Sequence, residues 1–142
     1  MKKLLAYISV SYLALWSVFF PDTAHAVVIH KMKCEGLPNK FWHPTLAKGY
    51  AKASMMQEYG WGRSEFKELN KLWEAESHWR AAAWNREPGD NKGNHAGGIP
   101  QILSLDPRTP APVQIDRGLA YISHRYGKPS VAWAHHRVHG WY

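Results

Sequence analysis

Hydrophobic positions change rhythm along the chain. Leu4 to Phe20 is an apolar run broken only by small hydroxyl residues and tyrosine. Beyond it, Val27–Pro44 carries the breakers Gly36, Pro38 and Pro44 and reads as an irregular lead-in. From Leu46 the apolar residues recur at helical spacing, through Tyr50, Ala53 and Met56. Thr45 stands as an N-cap and Gly60-Trp61-Gly62 as a stop, predicting a first helix over 45–59. Ser64, with Glu65 in the first turn, opens a second helix expected to reach about Ala83. Residues 84–98 hold four glycines, a proline and several Asn and Asp, which predicts a loop. Ile99–Leu105 is a short apolar stretch, and Pro107, Pro110 and Pro112 break the next segment. A third helix is predicted over Val113–Tyr126, with Ile115, Leu119 and Ile122 on one face, Gly127 as its cap and Pro129 as a stop. Ser130–His136 predicts a short fourth helix. No strand-like alternation of useful length and no repeat occurs. The pattern therefore predicts a mainly α single domain over 45–142.

The first residues have a separate logic. Lys2 and Lys3 precede the apolar run, and Ala24-His25-Ala26 closes it. This is the grammar of a secretory signal peptide over 1–26, cleaved after Ala26. An uncleaved anchor is the alternative, although the run is short for a span. The expected location is outside the cytoplasm, in the cell wall or periplasm or secreted. Loss of Lys2, Lys3 and Asp22 would lower the net charge from +7 to +6. A basic exported protein is attracted to polyanions, among them the cell wall. The basic residues are scattered, without a Lys/Arg run or a nucleic-acid motif, so nucleic acid is not expected as a partner. The single cysteine, Cys34, excludes an internal disulfide and leaves a free thiol or an intermolecular bridge. Nothing beside it supplies the base that a cysteine nucleophile needs.

The second helix carries the most informative residue. With Phe66 at 0° and 100° per residue, Trp73 falls at roughly 340°, Leu69 at roughly 300° and Leu72 at roughly 240°. Glu76 falls at roughly 280°, between the leucines, whereas Lys67, Lys71 and Glu74 lie on the opposite side. Glu74 therefore reads as solvated, and Glu76 as a carboxylate on the buried stripe. Burial disfavours an ionised carboxylate and raises its pKa, which suits a general acid near neutral pH. A salt bridge to Arg80, four residues on, is the structural alternative, and helical pattern does not decide between them. Eight tryptophans and seven tyrosines fill a core, and such rings also stack on sugar faces.

Local sequence adds a resemblance. Leu72-Trp73-Glu74-Ala75-Glu76-Ser77-His78-Trp79 resembles the Leu-Trp-x-x-Glu-Ser-x-Trp motif of secreted, lysozyme-like transglycosylase domains of actinobacteria and their phages. Ala96-Gly97-Gly98-Ile99-Pro100-Gln101 is similar to that family's Ala-Tyr-Gly-Ile-Pro-Gln segment. The stretch from Gly118 to Gly127 resembles its Gly-Leu-x-Tyr-Ile-x-x-Arg-Tyr-Gly helix, and Ala132-Trp133 with Gly140-Trp141-Tyr142 its ending. The resemblance spans about residues 57–142, with its segments in family order. It implies a lysozyme-like (soluble lytic transglycosylase-type) α fold and a peptidoglycan glycan strand as substrate. Glu76 matches the catalytic acid/base and Ser77 its ordering neighbour. Gly98, Ile99, Pro100 and Gln101 match the cleft wall, and Trp133 a cleft aromatic. The chain departs from the pattern in having Gly97 where the family has tyrosine, and a longer loop over Asn85–His95. Glu68 and Ser130 stand where many members have a cysteine pair.

The resemblance implies one-carboxylate, lytic cleavage with no cofactor. A muramidase would need a second carboxylate, for which Glu87, Asp90, Asp106 and Asp116 are candidates. Asp90 lies in the glycine-rich loop, while Asp106 and Asp116 flank proline breaks and read as caps or turn residues. His135, His136 and His139 cluster near the end and read as solvated or wall-binding; His135 and His139 have the i,i+4 spacing of a helical metal pair, but no HExxH accompanies them and no metal is expected. A non-catalytic wall-binding protein of the same fold is the reading from outside enzymology.

Overall fold

Four α-helices, a 3-10 turn over Asn39–Phe41 and a small hairpin account for the regular structure of residues 37–142, which the computed structural model describes. The expected signal peptide, its cleavage site and Cys34 lie outside the described residues. The helices are α1 (Pro44–Tyr59), α2 (Arg63–Ser77), α3 (Ala111–Tyr126) and α4 (Pro129–His139). Strands β1 (Ala96–Gly97) and β2 (Ile102–Leu103) pair antiparallel, Ala96 opposite Leu103 and Gly97 opposite Ile102. The architecture is mainly helical, as the pattern predicts. Among the described residues no helix is long and apolar enough to cross a membrane.

Three prolines expected to interrupt helices instead begin them. Pro44 and Pro129 are the first residues of α1 and α4, and Pro112 lies in the first turn of α3. The first helical N–H groups have no intrahelical acceptor, so a residue without N–H loses nothing there, and its fixed φ already suits a helix. The helices accordingly start at Pro44 rather than after a Thr45 cap, and at Ala111 rather than Val113. The last runs to His139, three residues beyond the expected end.

Helix α2 ends earlier than expected, at Ser77 rather than about Ala83. His78 and Trp79 take left-handed backbone angles, φ 53° and 59°. That reversal folds the fully buried Trp79 onto Trp73, ring centroids 5.0 Å apart edge to face, and towards Phe66 at 6.5 Å. Burial of a large aromatic offsets the cost of non-glycine residues in this region. No glycine or proline marks the stop in the sequence.

The core joins Leu69, Leu72 and Trp73 of α2 to Ile115, Leu119 and Ile122 of α3, all inaccessible to solvent. Each buried leucine or isoleucine contributes about 1.5–3 kcal/mol of transfer free energy. The buried face of α1 is Ala47, Tyr50, Ala51, Ser54 and Met55. Of the expected stripe only Tyr50 is fully buried, and Met56 is more than half exposed. Small residues at 47, 51 and 54 face inward, and the adjacent methionines offered pattern reading no way to choose. Tyr50 donates a 3.0 Å hydrogen bond from α1 to Asp116 of α3.

The end of the expected lead-in belongs to the packed structure. Trp42 is buried edge-on against Tyr50. Asn39 accepts from the first amide of α3, Ala111 N, at 2.8 Å, and donates to the carbonyls of Pro107 and Thr109. Helices α2 and α4 are held together through Glu65. Its carboxylate accepts from the backbone N and Oγ of Ser130, at 2.8 and 3.1 Å, at the positive end of α4. Glu68 pairs with Lys71 on its own helix.

Gly118 is where α3 meets α2. A Cβ there would lie 2.6 Å from Trp73 Cζ2 and 2.8 Å from Pro100 Cβ. Gly118→Ala should therefore destabilise the protein by about 1–3 kcal/mol through overpacking, despite alanine's better helix propensity. Urea unfolding measures this, and a variant as stable as the parent would contradict the packing described.

Candidate active site

The geometry of α2 brings Glu76 to its last turn, two residues before the left-handed reversal at His78. Its stripe neighbours Leu72 and Trp73 are in the core, but the carboxyl reaches a cavity of about 590 Å³. The Glu76 side chain is 17% exposed. Burial pushes its pKa up to about 7. Arg80 is not its partner: the Arg80 guanidinium donates to the carbonyl of Ser77 at 3.0 Å. The group beside Glu76 is His136 of α4, with Nε2 3.2 Å from Oε1. The His136 ring stacks on Trp133, 5.4 Å between centroids. Burial, and then the neighbouring His135, lower the His136 pKa.

At 3.2 Å these groups would form an ion pair if both were charged. The shifts run the other way, the acid up and the base down, because burial disfavours both charges more than their attraction favours them. Burial thus favours the neutral form of each group. Glu74, two residues before Glu76, is by contrast exposed and paired with Lys48 at 3.1 Å, which holds its pKa down.

The wall opposite is the hairpin turn Gly98–Gln101. Ser77 donates to Ile99 O at 2.7 Å, tying the turn to the end of α2. Gln114 of α3 accepts from Ile99 N at 2.9 Å and donates to the carbonyls of Ala81 and Thr109 at 3.0 and 2.8 Å. Tyr142 donates to Pro100 O at 2.6 Å and accepts from Trp73 Nε1 at 2.9 Å. Gln101 donates back to Gly98 O at 2.8 Å. Gly98 has φ +73°, and a Cβ there would meet Gln114 Oε1 at 2.5 Å, so glycine is required on both counts.

Of the residues expected at the site, Glu76 and Gln101 line the cavity. Ser77, Gly98, Ile99 and Pro100 are buried just behind it and shape its wall through the bonds above. Trp133 is not at the cavity surface; it supports His136. Gly97 has no room for a side chain, because a Cβ would run into the Leu105 carbonyl and the Trp84 ring. Pattern reading missed Gln114, His136 and Arg125. Gln114 lies on the apolar face of α3 with Gly118, a polar residue on a buried stripe by the same test that singled out Glu76.

None of the four candidate second carboxylates lines the cavity. Asp90 accepts from the amides of Lys92 and Asn94 within its own turn. Asp106 is clasped by the Arg108 guanidinium, 2.6 Å at the closest contact. Asp116 takes the Tyr50 hydroxyl, and Glu87 is exposed. The His135 and His139 rings lie 4.2 Å apart, with His135 Nδ1 2.9 Å from the Trp141 carbonyl. Among the described residues no group of three or more His, Cys, Asp or Glu is arranged to hold a metal ion.

Comparisons with protein-family models, with curated proteins and with solved structures gave no match.

The burial of Glu76 makes stability depend on pH. The unfolded chain releases this proton near 4.5, the fold near 7. Below 4.5 both states are protonated and Glu76 has no effect. As pH rises from 4.5 to 7 the unfolded state ionises first, so stability falls, by about 3 kcal/mol in all. Glu76→Gln removes that loss. Urea unfolding across pH 4 to 8 should show the variant gaining on the parent throughout this window, whereas a pH-independent difference would contradict it.

Proposed function

We propose that this protein is a peptidoglycan lytic transglycosylase with a lysozyme-like fold, cutting the glycan between N-acetylmuramic acid and N-acetylglucosamine with Glu76 as its single acid/base. The observation that carries this reading is a largely buried carboxyl, its pKa raised by burial, at the wall of a cavity that no other Asp or Glu side chain among the described residues lines. The motif resemblance around Glu76, the hairpin and the Gly118–Gly127 segment supports the substrate class. The positive charge and the export signal expected over residues 1–26 suit a protein working at the cell wall.

The chemistry uses one group twice. Protonated Glu76 gives its proton to the glycosidic oxygen, and the bond from muramyl C1 to that oxygen breaks. The N-acetyl group of the same sugar supports the positive charge developing at C1. The carboxylate then takes the proton of the muramyl 6-hydroxyl while O6 bonds to C1, closing a 1,6-anhydro ring. Glu76 ends protonated, as it began, and no water is consumed. A pKa near 7 lets one carboxyl both give and take a proton near neutral pH. A hydrolase would need a further carboxylate at the cavity.

Digestion of purified peptidoglycan, with products read by mass spectrometry, tests the reading. The protein should release fragments ending in 1,6-anhydro-muramic acid, and Glu76→Gln should lower the rate by about 10²–10⁴-fold. Reducing ends would mean a muramidase. No soluble product from folded protein would leave a wall-binding role in place of catalysis.

A further inference from the structure

Among the described residues, Arg125 is the other charged side chain lining the cavity that holds Glu76. It has an unusual setting for an arginine. Its guanidinium carbon lies 5.0 Å from the Trp141 ring centre, 5.6 Å from Tyr126 and 5.8 Å from Tyr121. Nη1 donates to the Tyr121 hydroxyl at 2.8 Å, and that hydroxyl donates onward to the Tyr142 carbonyl at 3.1 Å. The aromatic groups hold the guanidinium in place without neutralising it. None of the ion pairs among the described residues uses Arg125. Its remaining N–H groups are donors in a planar fork that matches a carboxylate. Elsewhere on the cavity surface the polar side chains include the neutral Asn85 and Gln101.

We propose that Arg125 is a specificity-determining residue that binds a carboxylate carried on the muramyl lactyl ether of the glycan. This inference rests on the glycan-cleaving reading of Glu76 and extends it to which strands are chosen. The carboxylate has two sources. It is the lactyl group itself on strands stripped of peptide, or an acid of the peptide on strands that retain it. The cavity, of about 590 Å³, has the size of a pocket for one or a few sugar units rather than a whole strand. A fixed cation at one part of that cavity would set the register of the strand, with its carboxylate at Arg125 and a glycosidic oxygen at Glu76.

The test is calorimetric binding to the Glu76→Gln protein, which should not cut its ligand. Three ligands are compared: a tetrasaccharide of alternating N-acetylglucosamine and N-acetylmuramic acid with free lactyl carboxylates, its methyl ester, and the same sugar carrying its peptides. With Arg125 present, at least one acidic ligand should bind roughly ten- to hundredfold more tightly than the ester. Tighter binding of the free acid assigns the stripped strand, and tighter binding of the peptide form assigns the peptide carboxylate. Adding Arg125→Gln should reduce the acids to the affinity of the ester, and Arg125→Lys should restore part of the preference. Thermal unfolding confirms that each variant is folded. Equal binding of acid and ester, an undiminished preference in Arg125→Gln, or no binding of any of the three overturns the proposal. Digestion of peptidoglycan by the parent protein reports separately on Glu76: cutting without acid preference removes only the Arg125 site, and acid preference without cutting removes only the catalytic reading.

Discussion

A buried peptide group must find its hydrogen bond inside the protein, and the turn Gly98–Gln101 meets that demand from several directions at once. Ser77 at the end of α2 takes one side, Gln114 of α3 another, and Tyr142, beyond α4, a third. The turn is thereby a joint that ties α2, α3 and the segment beyond α4 to one another. Gln114 is central to it, since its amide also satisfies carbonyls on both chain segments that flank the hairpin. Apolar packing alone leaves helices free to slide by small amounts. Directed bonds between a buried amide and buried backbone fix the wall of the cleft against α2.

Because that wall is fixed, the end of α2 has a defined environment. The left-handed turn at His78 and Trp79 stops the helix one residue after Glu76, so the carboxyl is neither deep in the core nor on the surface. Trp79 closes the core beneath it and the cavity opens beside it. His136 approaches from α4, itself held to α2 by Glu65 at the α4 N-terminus. The same burial that raises the carboxyl's pKa lowers the imidazole's, so a contact with the geometry of an ion pair lies where burial disfavours both charges. A charged His136 would hold Glu76 ionised and remove its proton-donating capacity. Fixed charge in the cavity then falls to Arg125, held by rings rather than by an acid.

Much of this was legible in the sequence because helices advertise their buried face. The stripe through Leu69, Leu72 and Trp73 placed Glu76 correctly, and Ile115, Leu119 and Ile122 marked the matching face of α3. The α1 stripe was not legible, since its inward residues are mostly small and Met55 and Met56 are indistinguishable by type. Helix ends were misread for a common reason: proline stops a helix in its interior but starts one at its first turn. The end of α2 carried no local signal, because it is set by where Trp79 finds its partners. His136 and Arg125 join the site through tertiary contacts with other elements, which periodicity within one helix does not encode. Gln114 was legible in the same way as Glu76, as a polar residue on an apolar stripe.

One proton decides between the two readings of Glu76. A ¹³C-detected NMR titration of its side-chain carboxyl in the folded protein measures where that proton leaves. The structure predicts a midpoint near 7, because burial outweighs the nearby imidazole. A midpoint at or below 4.5, with His136 still protonated after Glu76 has ionised, would make the pair a conventional salt bridge and would contradict the assignment of Glu76 as an acid/base.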